Sequence, residues 1–147
     1  MQEIKILVVC RNNVSRSPMV EAVLQQLLGP GYVVSSAGWE AKEDLPANEW
    51  AIAAMKELGY DIGAHRSRNL LNVDLRDVRL IVAVNPNTER RIEALMEQNF
   101  EPSWPQILVI GDGGIDAPDS NEEAYKLCAQ KIFRIMPDIA AVIKNMK

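Results

Sequence analysis

An α/β fold, with a parallel sheet covered by helices on both faces, is what this sequence predicts, and three observations carry it. Short aliphatic runs alternate with amphipathic helical stretches along the chain. The strand-like runs are mostly apolar at consecutive residues instead of at every second one, as befits strands buried on both faces. No repeat, linker or change of composition interrupts the 147 residues, so residues 1–147 are expected to form one domain.

Ile4 to Val9 is a β-branched and aliphatic run, interrupted only by Lys5, and reads as the first strand. Ser17-Pro18, followed by Glu21, resembles a helix start with proline at its first position. Val20, Val23, Leu24, Leu27 and Leu28 then form one apolar face, which Gly29-Pro30-Gly31 ends. Tyr32 to Ser35 reads as a second strand. Ala47 to Leu58 reads as a second helix, with Trp50, Ile52, Ala53 and Met55 at near-helical spacing and Gly59 as its C-cap. Val78 to Val84 and Gln106 to Ile110 are two further apolar strands. Between them a helix from about Thr88 to Glu97 turns Ile92, Leu95 and Met96 inward. Glu122 to Met146 is the last helical stretch, which Pro137 is expected to kink or divide, because proline lacks an N–H and clashes with the preceding turn.

Composition excludes several classes. With 48% apolar and 24% charged residues the chain is neither disordered nor low-complexity, and no apolar run approaches the roughly 18 residues that a membrane span needs, so no membrane insertion is expected. A net charge of −4 argues against a dedicated nucleic-acid binder, which needs an excess of Lys and Arg. Met1 to Cys10 lacks the small-residue cleavage site of a signal peptide, and two cysteines without a CxxC pair fit a reducing compartment. A cytoplasmic protein is the expectation. One histidine, His65, gives too few ligands for a histidine-based metal site.

The chemistry is concentrated at the carboxyl end of the first strand. Cys10-Arg11-Asn12-Asn13-Val14-Ser15-Arg16-Ser17-Pro18 has the pattern C-x5-R-S between a strand and a helix. Ligands of parallel sheets bind outside the carboxyl strand ends, and a helix opening there offers unpaired N–H groups and a positive dipole end. Five intervening residues can curl backbone amides around a tetrahedral oxyanion, so the segment Arg11, Asn12, Asn13, Val14, Ser15, Arg16 and Ser17 is the expected phosphate cradle. Arg16 would hold two oxygens through its planar fork. Cys10, aimed into this ring of donors, is then a thiolate nucleophile. The plainer alternative makes Cys10 a small buried strand end and Arg16 a solvated helix residue.

With these residues the sequence resembles the low-molecular-weight protein tyrosine phosphatase family. The resemblance extends from the Cys10–Met19 loop through Ser36-Ala37-Gly38 after the second strand and His65-Arg66-Ser67 after the second helix to an Asp-led segment before the last helix. It implies a four-stranded parallel sheet in the order 2-1-3-4. It also implies hydrolysis of phosphotyrosine-type aryl phosphomonoesters of a tyrosine-phosphorylated protein substrate, through a cysteinyl-phosphate and with no cofactor or metal. Cys10 falls on the family's nucleophile, Arg16 on its phosphate-binding arginine, and Ser17 on the hydroxyl that bonds the nucleophilic sulfur; Ser17 could equally be a plain N-cap. Asn13, in a left-handed conformation that asparagine tolerates, would hold the loop open together with Ser17, Ser36 and His65.

This chain departs from the family pattern at several positions. Arg11 and Asn12 stand where a small or apolar residue and a glycine are usual, and a second cation there would favour acidic partners. Ser15 replaces a cysteine that in many members forms a reversible disulfide with the nucleophile. Cys128 reads as a buried core residue. The loop Ile110-Gly111-Asp112-Gly113-Gly114-Ile115-Asp116-Ala117-Pro118-Asp119 has no Asp-Pro pair. Counting back from Glu122-Glu123 and Tyr125 places Asp116 at the general acid, with Asp119 and Asp112 as alternatives. Trp39 is either a wall for the aryl group of the substrate or a rim residue of the core, while Trp50 and Trp104 read as packing residues. Two rivals remain. Arsenate reductases share this fold and loop, but the thioredoxin-coupled ones need relay cysteines that residues 76–100 lack, leaving a variant that uses an external thiol. An inactive phosphate-binding relative is the other.

Overall fold

The computed structural model describes residues 2–98, 105–111 and 113–146. Its elements run β1 (Ile4–Cys10), α1 (Arg16–Leu28), β2 (Tyr32–Gly38), α2 (Glu49–Glu57), a 3-10 turn (Leu70–Asn72), β3 (Val78–Ala83), α3 (Pro86–Gln98), β4 (Gln106–Val109) and α4 (Glu122–Asn145). The four strands form one parallel sheet in the order β2-β1-β3-β4, as expected.

β1 is central, and its alternate residues build the two layers. Ile6, Val8 and Cys10 face a core filled by Val20, Val23 and Leu24 of α1, Ala51, Ala54 and Met55 of α2, and Ile132 and Met136 of α4. Leu7 and Val9 face the other way, onto Ile92 of α3 and Leu70, with Leu95 and Met96 partly buried beside them. Each fully buried side chain of this kind contributes about 1.5–3 kcal/mol over its exposed state. Because the larger layer covers the face from which Cys10 projects, α1 and α4 flank the carboxyl end of β1.

The element boundaries differ from expectation in instructive places. β2 continues three residues past Ser35, because β1 extends to Cys10 and pairs Val8 with Ser36, Val9 with Ala37 and Cys10 with Gly38. Ser36-Ala37-Gly38 is thus strand, not the loop after it. α1 starts at Arg16 with Ser15 as N-cap, which makes Pro18 its third residue. α2 starts at Glu49, capped by Asn48, whose Oδ1 accepts from Trp50 N at 2.8 Å. Gly59 follows α2 with φ +92° and donates its N–H to the Lys56 carbonyl at 3.0 Å, as a C-terminal glycine should.

Pro137 does not divide the last helix: α4 runs unbroken through it for 24 residues. Proline lies on the exposed side, so the carbonyl it leaves unbonded is reached by water. Packing of Ile132 and Met136 before it and Ala140 and Ile143 after it holds both halves on one core. Among the described residues no helix is long and apolar enough to cross a membrane. Trp104 and Asp112 lie outside the described residues.

Candidate active site

Five residues join the end of β1 to the start of α1, and their backbone is turned inside out relative to an ordinary loop. The carbonyls of Cys10, Arg11, Asn13, Val14 and Ser15 each accept a bond from outside the loop, from Trp39 N (3.0 Å), Glu40 N (2.8 Å), His65 Nε2 (2.7 Å), Asn48 N (2.8 Å) and Met19 N (3.2 Å). The N–H groups of Asn12, Val14, Ser15 and Arg16 have no partner among the described residues. With the carbonyls held outward, the amides face a cavity of about 220 Å³ lined by Cys10, Asn12, Asn13, Val14, Ser15, Arg16, Ala117, Pro118 and Tyr125. A concave set of unpaired amides at a helix N-terminus has the donor geometry to receive an oxyanion.

Two backbone features make the curl possible. Asn13 has φ +59°, the left-handed region that asparagine tolerates better than most residues. Gly38 approaches so closely that a Cβ there would stand 2.5 Å from the Arg11 carbonyl and 2.9 Å from Asn13 N. That is the physical reason for glycine at the end of Ser36-Ala37-Gly38.

Cys10 is buried at the cavity floor, and its Sγ accepts from Asn13 N at 3.2 Å. The Asn13 carboxamide fixes the direction of the other bonds. Its Nδ2 can only donate, to Ser17 Oγ at 2.7 Å and to Ser36 Oγ at 2.9 Å. The Ser17 hydroxyl proton is therefore left for Cys10 Sγ, at 3.0 Å, and that of Ser36 for Glu21 Oε1, at 2.7 Å. Ser17 is consequently not a helix cap. Asn13 Oδ1 accepts from Arg68 N at 2.8 Å, and the Asn13 carbonyl requires that His65 carry its proton on Nε2. Asn13, Ser17, Ser36 and His65 thus meet in one network, with two members that sequence reasoning passed over, Glu21 and Arg68. Glu21 was detectable: it is a carboxylate four residues after Ser17, on the same face of α1. Burial pushes the Glu21 carboxyl above its usual range, against the opposing Ser36 hydrogen bond and the charges of His65 and Arg68.

Arg16 is buried, and its Nη1 donates to the Ile115 carbonyl at 3.2 Å, which ties the start of α1 to the loop before α4. That loop is seated by Ile115 N on the Val84 carbonyl at 2.7 Å and by Lys131 Nζ on the Gly114 carbonyl at 2.7 Å. Gly114, at φ +75°, has no room for a Cβ against Val84 and Asn85. Asp116 stands between Ile115, which Arg16 grips, and Ala117, which lines the cavity. Its carboxylate is exposed and, like that of Asp119, lies along the neighbouring groove with Cys128 and Lys131. Asn121 caps α4, accepting from Ala124 N at 2.8 Å. Burial pushes the Cys128 thiol up to about 11.

Trp39 is not part of the cavity wall. Its backbone N–H donates to the Cys10 carbonyl, and its ring packs on the Leu7 and Val9 layer, with the guanidiniums of Arg11 and Arg91 at 5.4 and 4.7 Å from the ring centre. Arg11 turns away from the cavity to Glu40, at 3.0 Å. The aromatic side chain on the cavity is instead Tyr125, whose hydroxyl pairs with Ser15 Oγ at 2.9 Å and whose ring packs against Trp50 at a 50° tilt, 5.7 Å between ring centres. The sequence held one signal for Tyr125, its place three residues before Cys128 on the buried face of α4. Among the described residues no three His, Cys, Asp or Glu side chains converge as a metal site requires.

Comparison with known proteins shows the family. The family model described as low molecular weight phosphotyrosine protein phosphatase matches residues 5–112. A protein of Ralstonia solanacearum named probable low molecular weight protein-tyrosine-phosphatase EpsP is 40% identical over 89 residues, 60% of this chain and 61% of that relative's length. An arsenate reductase of Staphylococcus aureus is 32% identical over 147 residues, covering 100% of this chain and 98% of that one. The solved structure of the YwlE arginine phosphatase from Geobacillus stearothermophilus superposes with a TM-score of 0.80 at 25% identity, over 96% of this chain and 93% of that one. These relatives differ in what their names say they act on, and the chain belongs to the low molecular weight phosphotyrosine protein phosphatase family.

Proposed function

We propose that this protein is a cysteine-dependent phosphatase that hydrolyses phosphotyrosine-type aryl phosphomonoesters of a phosphoprotein. The observation that carries the reading is Cys10 Sγ, held by the Ser17 hydroxyl and Asn13 N–H at the floor of a cavity lined by unpaired amides. Donors aimed at the sulfur stabilise negative charge on it. The thiolate attacks phosphorus, an S–P bond forms and the ester P–O bond breaks. The departing aryl oxygen takes a proton from Asp116. Water, deprotonated by the same carboxylate, then cleaves the S–P bond and releases phosphate. The amides and the Arg16 fork stabilise the charge on the transferring oxygens, and Ser17 eases departure of the sulfur. Tyr125 walls the aryl group by ring contact.

Mixing with para-nitrophenyl phosphate and quenching should trap one phosphoryl group on Cys10. Cys10→Ser should abolish turnover while the fold persists, and Arg16→Lys should be severely impaired, since a point charge cannot replace a fork. Retained turnover in Cys10→Ser would sink the mechanism. The full-length similarity to an arsenate reductase supports a second reading, in which the Cys10 thiolate attacks arsenate and an external thiol completes the two-electron reduction. Arsenate-dependent oxidation of added glutathione, with no turnover of aryl phosphates, is the result that would favour it.

A further inference from the structure

Arg11 and Arg91 reach the same indole from different elements. Arg11 follows the nucleophile and lies 5.4 Å from the centre of the Trp39 ring, and Arg91 of α3 lies 4.7 Å from it. The two differ in compensation. Arg11 is paired with Glu40 at 3.0 Å, whereas Arg91 has no ion pair among the described residues. Its helical neighbours three and four positions away are Asn87, Thr88, Ala94 and Leu95, none of them acidic. A stacked guanidinium, oriented by an aromatic face and lacking its own carboxylate, is an anion-reading group. The chain as a whole carries −4, so a local uncompensated cation counts for more in attracting an acidic substrate.

We propose that Arg91, stacked with Arg11 on Trp39 beside the phosphate loop, is a specificity-determining residue that reads an acidic side chain flanking the phosphotyrosine of the substrate. This rests on the phosphatase reading for its substrate class. Trp39 follows Gly38, which pairs with Cys10, its backbone N–H bonds the Cys10 carbonyl, and the Arg11 side chain lies over its ring, so the strip begins at the outer edge of the loop, where a peptide whose phosphate fills the loop would lay its flanking residues. Arg11, neutralised by Glu40, supplies stacking more than charge.

The test measures binding, so that it does not depend on catalysis. In the full chain carrying Cys10→Ser, fluorescent phosphotyrosine peptides with Asp, Asn or Lys flanks are compared by anisotropy. The Asp-flanked peptide should bind about 5–10-fold more tightly than the Asn-flanked one at low salt, and the preference should shrink as salt rises. Arg91→Lys should keep most of the preference. Arg91→Glu, at an exposed helix position, should reverse it in favour of the Lys-flanked peptide. Equal affinities for the three peptides, an unchanged order in Arg91→Glu, or no binding of any phosphopeptide would each overturn the proposal. Absence of turnover by the Cys10-bearing chain, with the binding preference intact, would instead overturn the phosphatase reading alone.

Discussion

Asn13 organises the site through four groups at once: its N–H to Cys10, its carbonyl to His65, its amide nitrogen to Ser17 and Ser36, and its amide oxygen to Arg68. Asn13→Ala should therefore lower kcat/KM for para-nitrophenyl phosphate by about 100-fold, the scale of a small misplacement of a reacting group, while Cys10 stays in place. Steady-state kinetics beside a circular dichroism spectrum would separate that outcome from unfolding. For the acid, Asp116→Asn should depress hydrolysis of phenyl phosphate more than that of para-nitrophenyl phosphate, by about 10²–10⁴-fold at most, because the poorer leaving group depends more on its proton. Asp119→Asn showing that dependence in its place would move the acid three residues along. Glu21 carries a stability consequence. Its carboxyl is raised in the folded state, so the folded chain binds the proton more tightly than the unfolded one; stability from this group is present at low pH and is lost as pH rises through the raised value. Glu21→Gln should flatten that limb of the urea midpoint against pH, measured just above the ordinary carboxylate range.

At the scale of elements, the aliphatic runs located all four strands, because burial on both faces makes the strand middles apolar and leaves polar residues such as Lys5, Arg79 and Gln106 near the strand starts. The extension of β2 was hidden: Ser36, Ala37 and Gly38 carry no strand-like composition, and only the partner strand, running on to Cys10, demands them. The start of α1 misled in a related way. Ser-Pro resembles a cap and first turn, but the hydroxyl of Ser17 serves the sulfur, and helix geometry begins at Arg16. The C-x5-R-S pattern made Cys10, Arg16 and the loop legible, since they are contiguous. Glu21, Arg68 and Tyr125 became visible only when the fold brought distant stretches together. Pro137 stayed inside α4 because tertiary packing outweighs its local penalty. Pro137→Ala should accordingly restore the bond to the Phe133 carbonyl and raise stability by about 1–2 kcal/mol, less than the full intrinsic difference because alanine also loosens the unfolded chain. A denaturant titration checks it.

For the molecule as a whole, the chain holds two thiols in unlike surroundings, and neither is in a disulfide. Iodoacetamide at neutral pH should modify Cys10 and spare Cys128, whose thiol sits near 11, as peptide mass mapping would record. With Ser15 in place of a neighbouring thiol, peroxide should carry Cys10 past the sulfenic acid, and dithiothreitol should restore little activity. Full recovery together with a Cys10–Cys128 disulfide would contradict both statements.

The proposed phosphate cradle is stitched from stretches scattered along the chain: residues 10–16, the Gly38 backbone, His65 and Arg68, and the Ile115 carbonyl that holds Arg16. No unfolded or half-assembled chain can reproduce it. On the proposed function, inorganic phosphate should bind the native state alone and so report complete folding. At about a hundred times its dissociation constant it should add about 2.7 kcal/mol to stability, so the thermal midpoint should climb by roughly 5–10 °C when phosphate replaces an inert buffer at matched ionic strength. Substituting alanine at Gly38, whose Cβ would press the loop closed, should erase most of that dependence.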